Sequence, residues 1–275
     1  MQRSYVRAEE VAPRKSGAIK LHGAEAFEGM RRAGRLAAEA LDMITAHVTD
    51  GTTTDDLDQL VHTFARDHKA VPAPLNYRGY PKSICTSLNH VVCHGIPGER
   101  VLKDGDILNI DVTLIVDGWH GDTSRMYAVG DISKKAQRLL DVTYTSLMLG
   151  IEAARPGAHT GDIGAVIEDY VTGERCSVVR DFCGHGLGRV FHDEPNILHF
   201  GQRGEGDELR PGMFFTIEPM INLGKPHVKV LKDGWTAVTR DKSLSAQFEH
   251  SVGVTEDGVE IFTLSPAGYT KPPYG

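Results

Sequence analysis

The segment LKDGDILNID at residues 102–111 recurs 107 residues later as LRPGMFFTIE at residues 209–218. An earlier pair, GTTTDDL at 51–57 and GAHTGDI at 157–163, repeats at an offset of 106 residues. Either match alone would be weak, but two matches in the same order at nearly one offset are not expected by chance. The sequence therefore predicts a duplicated α/β unit whose halves are related by a pseudo-twofold axis.

Each half begins with helical patterns. The region from Glu25 to Ala46 is predicted to be an amphipathic helix, because apolar residues recur at helical spacing at Met30, Ala33, Leu36, Ala37, Ala40, Leu41 and Ile44. A second helix is predicted after Gly51, capped by Thr54 and with one apolar face formed by Leu57, Leu60, Val61 and Phe64. The polar leader, residues 1–24, is expected to lie on the surface or fray.

Two carboxylates occupy equivalent positions in the repeat. Asp111 and Glu218 each lie inside an apolar run, where a lone carboxylate is costly unless it is paired, protonated or bound to a metal. Asp122, His185 and Glu249 also lie where a fold would normally place apolar side chains. Four carboxylates and one imidazole fit two adjacent divalent ions better than a single tetrahedral zinc. The sequence thus predicts a two-metal hydrolase.

A hairpin is predicted between the first two carboxylates. The dipeptide Asp117-Gly118 is a turn signal of the primed type. Strands that fold back about this turn place Thr113 opposite Asp122, and Asp111 becomes the diagonal neighbour on the same face. Such diagonals are about 7–8 Å apart, close enough to share a metal. The alternative is that Asp122 lies in a loop after the hairpin.

Three of the 13 histidines lie in unusual settings. His94 ends the run VVCH before a Gly/Pro turn, His185 is flanked by glycines in CGHGLG, and His192 follows in FHDEP. Each alone is more often structural than catalytic. In a chain that also carries a set of buried carboxylates, a catalytic or metal-binding role becomes the better interpretation, because metal hydrolases need an imidazole ligand and uncoordinated acid/base groups.

Composition limits the function classes. The 275 residues carry a net charge of −7, which argues against nucleic acid as the main partner. Four cysteines without a C-x-x-C pair indicate a reduced, cytoplasmic compartment. No signal peptide is expected, and no run approaches the roughly 20 apolar residues of a membrane span. We expect one catalytic domain over residues 25–265, with pseudo-repeats at about 25–135 and 136–262 and a tail at 266–275.

At these residues the chain closely resembles the type I methionine aminopeptidases. The matching segments are KSICTSLNHVVCHGIP, GDILNIDVTLIVDGWHGDTSRMY, FCGHGLGRVFHDEPNI, FFTIEPMI and SAQFEHSV. They follow the family's order and spacing over roughly residues 25–265. The resemblance implies the pita-bread fold, an α/β (α+β) architecture of two pseudo-twofold-related halves around a central antiparallel sheet.

The resemblance also implies roles for individual residues. Two divalent ions of Co, Mn, Fe(II) or Zn would be held by Asp111, Asp122, His185, Glu218 and Glu249. Asp122 and Glu249 would bridge both ions, Asp111 would complete one site, and His185 with Glu218 the other. The catalytic groups would be His94, which contacts substrate near the scissile nitrogen, His192, which bonds the carbonyl oxygen, and Glu218. Residues matching the methionine pocket are Tyr77, Tyr80, Cys85, Phe191 and Trp235, and those matching a monovalent-cation site are Asn89, Val91 and Ser245.

The implied activity is removal of N-terminal methionine from nascent proteins whose second residue is small. Such an enzyme is expected to work near the ribosome as a cytoplasmic monomer, without a membrane or a specific nucleic acid. Two alternatives stay open: a same-fold aminopeptidase of other specificity, such as proline-directed cleavage, and a non-catalytic pita-bread protein that binds protein or RNA. The chain departs from the family pattern at two positions. Pro74 stands at a pocket-wall position where some relatives have cysteine, and His90 follows Asn89 where many have Glu. These departures affect fine substrate preference and not the ligand set.

Overall fold

A computed structural model describes residues 3–274, which form four α-helices and 17 strands. The helices α1 to α4 span Ala24–Ile44, Thr54–Asp67, Lys134–Ala153 and Thr160–Gly173. The strands β1 to β7 span Tyr5–Arg7, Ile19–Leu21, Val71–Pro72, Cys85–Leu88, Val91–Cys93, Ile107–Val116 and Trp119–Ala128. The strands β8 to β17 span Ser177–Val178, Gly184–Gly186, Asp193–Ile197, Phe214–Ile217, Met220–Asn222, Val228–Val230, Ala237–Thr239, Ser245–Gln247, His250–Val254 and Val259–Ile261.

The predicted duplication is present in the backbone hydrogen bonds. In the first half the Gly51 N–H donates to the Leu102 carbonyl at 3.0 Å. In the second half the Gly157 N–H donates to the Leu209 carbonyl at 2.9 Å. The same two segments that repeat in sequence therefore meet in the same way in both halves, which accounts for the near-constant offset.

The start of α2 differs from the prediction by one residue. Thr53, and not Thr54, is the N-cap: its hydroxyl accepts from the Asp56 N–H at 3.1 Å, and the Asp56 carboxylate accepts from the Thr53 N–H at 3.0 Å. Thr54 is instead buried, and its hydroxyl donates to the Gly98 carbonyl. The capping box fixes the choice, since its acidic residue must lie three positions after the cap.

The central strands are antiparallel and come from both halves. In the first half β6 pairs with β3, β4 and β7, and in the second β11 lies between β9 and β16. The two sets meet where the Glu249 N–H, just before β16, donates to the Ser124 carbonyl of β7 at 3.0 Å. A carboxylate-bearing position of the second half is thereby placed beside the hairpin of the first.

The β6–β7 hairpin has the predicted register. Asp117 and Gly118 form its turn with φ of 50° and 81°, as a primed turn requires. Thr113 is directly opposite Asp122, and Asp111 is opposite the position two residues further along β7. This pairing confirms the hairpin prediction and excludes the alternative in which Asp122 lies in a loop.

Helices cover the outer face of each half. One buried cluster joins α1 and α2 to the face of β6 that carries Leu108, Ile110 and Val112. A second joins α3 and α4 to apolar side chains of β11 that include Phe215 and Ile217. Because side chains alternate along a strand, the polar residues of β6 and β11 face away from the helices toward the space between the halves. None of the helices within residues 3–274 combines the length and apolar character that crossing a bilayer requires.

The described part of the leader lies largely on the surface, as expected, but it does not fray. Strand β1 pairs in parallel with β2, and Ile19 is fully buried in the second-half core. Lys20 is only 8% exposed and forms an ion pair with Asp193. The polar composition suggested a surface segment, but a single apolar residue and one buried cation are enough to attach it.

Gly121 should tolerate no side chain, because β7 passes against the backbone of α1. A Cβ added there would lie 2.2 Å from backbone atoms of Ala33. We expect Gly121→Ala to lower the free energy of unfolding by about 1–3 kcal/mol or more, as overpacked cores do. Urea denaturation checks this, with Gly173→Ala as the control, since a Cβ at Gly173 meets nothing within 4 Å. Equal stability of the two variants would contradict the prediction.

Candidate metal centre

All five predicted ligands line one cavity of about 380 Å³ between the two halves. Asp111 and Asp122 come from the two strands of the β6–β7 hairpin, His185 is the middle residue of β9, Glu218 directly follows β11, and Glu249 directly precedes β16. Every one of them therefore lies on or next to a paired strand. Sites built on strands hold their side chains more precisely than sites on loops.

Close backbone approach places His185 in this cavity. Its neighbours Gly184 and Gly186 lie against the carbonyls of Thr216 and Glu194, which a Cβ would approach to 2.3 and 2.0 Å. Larger residues would push β9 away from the strands on either side. The flanking glycines noted in the sequence thus have a packing reason.

The potential ligand atoms of three residues lie close to one another. Donor atoms of Asp122, His185 and Glu249 all lie within 4.8 Å of one another. The His185 Nε2 is 3.5 Å from Asp122 Oδ2 and 3.7 Å from Glu218 Oε1. Its Nδ1 is 3.0 Å from the Gly186 carbonyl, which can only accept, so Nδ1 carries the proton. The Nε2 lone pair is then directed at the carboxylates, an arrangement that suits a shared cation.

Neighbouring polar side chains orient the carboxylates. The Thr113 hydroxyl donates to Asp122 Oδ1 at 2.6 Å, and the Thr216 hydroxyl donates to Glu218 Oε1 at 2.8 Å. Gln247 Nε2 donates to Glu218 Oε2 at 3.1 Å. The sequence analysis did not assign Thr216 or Gln247. Strand alternation is the signal that could have found them, because each stands two positions before a carboxylate.

Burial and mutual repulsion perturb the acidic groups. Burial, with the charge of Asp122 next, raises the pKa of Asp111 and of Glu249 well above the usual value. Burial also raises the pKa of Glu218 to about 7. For His185, burial lowers the pKa, but hydrogen bonding to Asp122 and the charge of Glu218 outweigh it and leave the pKa raised.

This donor set fits a metal centre. Carboxylates confined together in a low-dielectric cavity repel one another, and divalent cations are the countercharge that such a cluster accommodates. Oxygen donors with one imidazole suit Mn(II), Fe(II), Co(II) and Zn(II). Metal-ligating carboxylates typically accept hydrogen bonds from neighbouring hydroxyl and amide groups, as these carboxylates do.

The two remaining histidines of the prediction line the same cavity. The His192 Nδ1 is 3.0 Å from the Tyr77 hydroxyl, and its ring lies 4.3 Å from that of His185. His94 has a φ of 55° and packs edge-on against Trp235 at 6.1 Å. Burial, followed by the nearby His185, lowers the pKa of both, for His192 to about 2, so both imidazoles are neutral.

The residues predicted for a methionine pocket form one wall of the cavity. Trp235 packs edge-on against Tyr80 at 5.1 Å, and Tyr77 packs against Phe191 at 5.0 Å. Cys85 pairs across the strands with Asp111, so this wall adjoins the carboxylates. An apolar, aromatic surface beside a polar cluster is what an apolar side chain next to a reacting group requires.

The three residues of the predicted monovalent-cation site are neighbours. The Ser245 N–H donates to the Asn89 carbonyl at 2.9 Å, and Val91 follows in β5. The Ser245 hydroxyl is buried and has no hydrogen-bond partner among residues 3–274. The Asn89 side chain accepts from the Ile107 N–H and donates to Asp106, which fixes its position beside Ser245.

Several lining residues were missed by the sequence analysis. The larger set lining the cavity also includes Lys15, Arg78, Cys93, Asp181, Phe182, Cys183 and Met220, beside Pro74, which the sequence analysis had noted. Burial raises the pKa of the Cys93 thiol well above the usual value, so it stays neutral and contributes an apolar surface. Cys93 directly precedes His94 in the chain, which is the signal that could have indicated it. Lys15 had no signal, because its position depends on how the leader docks.

Comparison with known proteins agrees with this geometry. The model of metallopeptidase family M24 matches residues 28–256. A methionine aminopeptidase of Rickettsia prowazekii (strain Madrid E) is 61% identical over 257 residues, which cover 93% of this chain and 99% of that protein. The methionine aminopeptidase of Escherichia coli (strain K12) is 51% identical over 249 residues, covering 90% of this chain and 94% of its own length.

Solved structures show the same likeness. The crystal structure of the Rickettsia prowazekii methionine aminopeptidase has a TM-score of 0.89 at 62% identity and covers 90% of this chain and 100% of that one. The prolidase of Pyrococcus horikoshii OT3 reaches a TM-score of 0.70 at 17% identity, a likeness of fold alone. The chain belongs to metallopeptidase family M24 and, within it, to the methionine aminopeptidases. The family and the pita-bread fold indicated by the motifs are therefore confirmed.

Proposed function

We propose that this chain is a metal-dependent aminopeptidase that removes the N-terminal methionine of polypeptides whose second residue is small. The observation that carries the proposal is one cavity lined by the four carboxylates and one histidine of the predicted ligand set, by two further histidines and by aromatic side chains. Membership of the methionine aminopeptidases supports the same activity. A non-catalytic binding protein would not need to keep such a costly set of buried charges together.

Two divalent ions, of Mn, Fe(II), Co or Zn, are proposed as cofactors. They would be held by Asp111, Asp122, His185, Glu218 and Glu249. The close group formed by Asp122, His185 and Glu249 supports metal binding at these three residues. Divalent ions held here would supply Lewis acidity that polarises a peptide carbonyl and lowers the pKa of a water.

Proton movements are assigned to three side chains. Glu218, whose pKa is raised to about 7 by burial, is proposed to take the proton of the attacking water. The Tyr77 hydroxyl, 3.0 Å from His192 Nδ1, is proposed to donate to it. The neutral imidazole then carries its proton on Nε2 and can donate a hydrogen bond from it to the carbonyl oxygen. The proton that Glu218 takes is proposed to pass by way of His94 to the leaving nitrogen, so His94 acts as a relay. Together these groups stabilise the charge that develops as the peptide bond breaks.

The methionine side chain is proposed to lie against Tyr77, Tyr80, Cys85, Phe191 and Trp235. Edge-on aromatic packing around Trp235 leaves a polarizable apolar surface, which suits a thioether. Pro74, another lining residue, adds an apolar contact and no thiol at that position. The free amino terminus would lie at the carboxylate cluster, which restricts cleavage to the first residue.

Three finer proposals rest on the family resemblance. Asn89, Val91 and Ser245 would bind a monovalent cation, for which the partnerless Ser245 hydroxyl is the structural support. The enzyme would act on nascent chains near the ribosome, in the cytoplasm. It would be a monomer, which light scattering coupled to size exclusion would test, while co-sedimentation with ribosomes would test the second proposal.

A peptide assay tests the main proposal. Met-Ala-Ser and Ala-Pro-Ser are offered to metal-free protein, to protein with added Mn(II), Co(II), Fe(II) or Zn(II), and to protein with EDTA. We expect Met-Ala-Ser to be cleaved only with a divalent ion and Ala-Pro-Ser to remain intact. Full activity in protein shown by elemental analysis to be metal-free would refute the metal requirement. Preferential cleavage of Ala-Pro-Ser would favour the proline-directed alternative.

The second residue of the substrate should decide the rate. Met-Ala-Ser is expected to be cleaved at least about 100-fold faster than Met-Lys-Ser in kcat/KM, because a tight pocket rejects side chains that it cannot enclose. Gly, Ser, Thr, Pro, Val and Cys should behave like Ala. Steady-state rates over such a peptide series check this, and similar kcat/KM values for Ala and Lys would contradict it.

A further inference from the structure

A second cavity lies behind the β9–β10 loop, residues 187–192. It has a volume of about 190 Å³, and it is lined on one side by leader residues that include Lys20 and His22. The opposite side comprises Leu187, Arg189, Val190 and Asp193. Phe191 and His192 of the same loop line the catalytic cavity. The loop thus separates two cavities. Its first residues are held in place, since Leu187 is buried in a cluster with Trp119 and the Gly188 carbonyl accepts from the His120 N–H at 2.9 Å, whereas the second cavity leaves space behind the residues that follow.

A buried ion pair joins the two sides of the second cavity. The Lys20 ammonium bonds the Asp193 carboxylate, and the two residues are only 8% and 4% exposed. Lys20 also donates to the Arg14 carbonyl at 2.9 Å, so its head group is anchored within the leader. Ion pairs on a protein surface contribute little to stability. A buried pair such as this one constrains the geometry, because breaking it leaves an uncompensated charge away from water.

The ion pair acts at the residue next to His192. Asp193 begins β10 and pairs with Gly186 of β9, next to His185. Two weaker leader contacts reach the following residue, where Glu194 lies 3.0 Å from Arg3 and 3.7 Å from Lys15. A displacement of Asp193 would therefore move the backbone that carries His192 relative to His185.

We propose that Lys20 is a positioning residue: through its ion pair with Asp193 it holds the β9–β10 loop so that His192 faces the catalytic cavity. The leader is then part of the working enzyme and not an appendage to it. The kinetic part of this proposal rests on the proposed function, since it assumes that His192 assists peptide hydrolysis. The geometric part does not, because the position of the imidazole can be measured without substrate.

A double-mutant cycle on the metal-loaded protein tests the proposal. Lys20→Met with Asp193→Asn removes both charges together and leaves no unpaired buried ion. We expect kcat for Met-Ala-Ser to fall about 10- to 100-fold, the size of effect that a small misplacement of a catalytic group produces. In a His192→Ala background the same pair of changes should lower kcat less than about twofold, because the two act on one interaction.

A second buried ion pair provides the matched control. Arg125 and Asp42 are 2.8 Å apart with side chains 6% and 13% exposed, and they join β7 to α1 on the helix-covered face. Arg125→Met with Asp42→Asn should lower the melting temperature but leave kcat within about twofold, since neither residue contacts the β9–β10 loop. An equal loss of kcat in the wild-type and His192→Ala backgrounds would overturn the proposal. So would a loss of stability in the Lys20/Asp193 variant without any loss of kcat.

Histidine NMR provides a readout independent of turnover. The His192 imidazole resonances, assigned by their absence in His192→Ala, should shift in the Lys20/Asp193 variant and not in the Arg125/Asp42 variant. Unchanged resonances would refute the positioning role, even if the wild-type protein cleaved no methionyl peptide and the proposed function failed. Should the double variant not fold, Lys20→Arg, which keeps the charge but changes its reach, is carried through both measurements with the same expected directions.

Discussion

Asp122→Ala is expected to abolish methionyl-peptide hydrolysis and to lower metal affinity by at least about 100-fold. Removal of a side chain that only hydrogen-bonds a ligand already costs about 10- to 100-fold, and Asp122 is proposed to be a ligand itself. Its carboxylate lies 3.5 Å from His185 Nε2 and within the close donor group formed with Glu249. Without it, the site would lose one of the negative charges that would hold the cations. Metal titration by calorimetry and steady-state rates at saturating metal measure the two losses.

Asp122→Ala should affect the stability of the metal-free protein differently from that of the metal-bound protein. Asp122 raises the pKa of Asp111 and Glu249 by repulsion, next after burial, so its removal relieves the cluster. Thermal unfolding in excess chelator should therefore find Asp122→Ala no less stable than the wild type, whereas with metal it should be less stable. Asp169→Ala, at an exposed position of α4, is the control and should change neither quantity. Near-normal metal content and rate in Asp122→Ala would show that Asp122 is not a ligand.

Replacing either free histidine should slow the reaction while both metals stay bound. His94→Ala is expected to lose about 10²–10⁴-fold in kcat as a general acid. His192→Ala is expected to lose about 10²–10³-fold as a donor to the carbonyl oxygen. Elemental analysis and circular dichroism establish that metal content and fold are unchanged. His47→Ala is the control, because His47 is exposed and is not among the residues that line the cavity.

Substrates with better leaving groups separate the two roles. A methionine ester or thioester needs no proton on its leaving atom, so it should restore part of the rate of His94→Ala. It still develops negative charge on the carbonyl oxygen, so His192→Ala should stay slow. Loss of metal in both variants would mean that the ligands are misassigned. Unchanged turnover in both would mean that these histidines only fill space.

Local rules predicted the parts of the fold that depend on local chemistry. The β6–β7 register followed from strand alternation and a primed turn at Asp117-Gly118, and the structure has that pairing residue for residue. The duplication followed from two ordered matches, because the same hydrogen bonds recur in both halves. The cap of α2 was misplaced by one position, since adjacent threonines offer the same chemistry and only Asp56 distinguishes them.

Contacts between distant segments could not be predicted in the same way. Nothing in the pattern of residues 1–24 indicates that Ile19 enters the second-half core or that Lys20 meets Asp193. These contacts depend on how two finished halves present their surfaces. The backbone bridge between Ser124 and Glu249 could not be predicted either. It sets the spacing between the carboxylates of the two halves. Residue types could be nominated from sequence, but their convergence required the three-dimensional structure.

The division of the proposed ligands between the two halves imposes an order on the assembly of the metal site. The first half supplies Asp111 and Asp122, and the second supplies His185, Glu218 and Glu249, so neither half holds a full proposed ligand set. A chain emerging during synthesis cannot complete its proposed metal site before residue 249 is available. Because an ion that binds only the folded state stabilises that state, metal capture would complete folding and switch on activity in a single event.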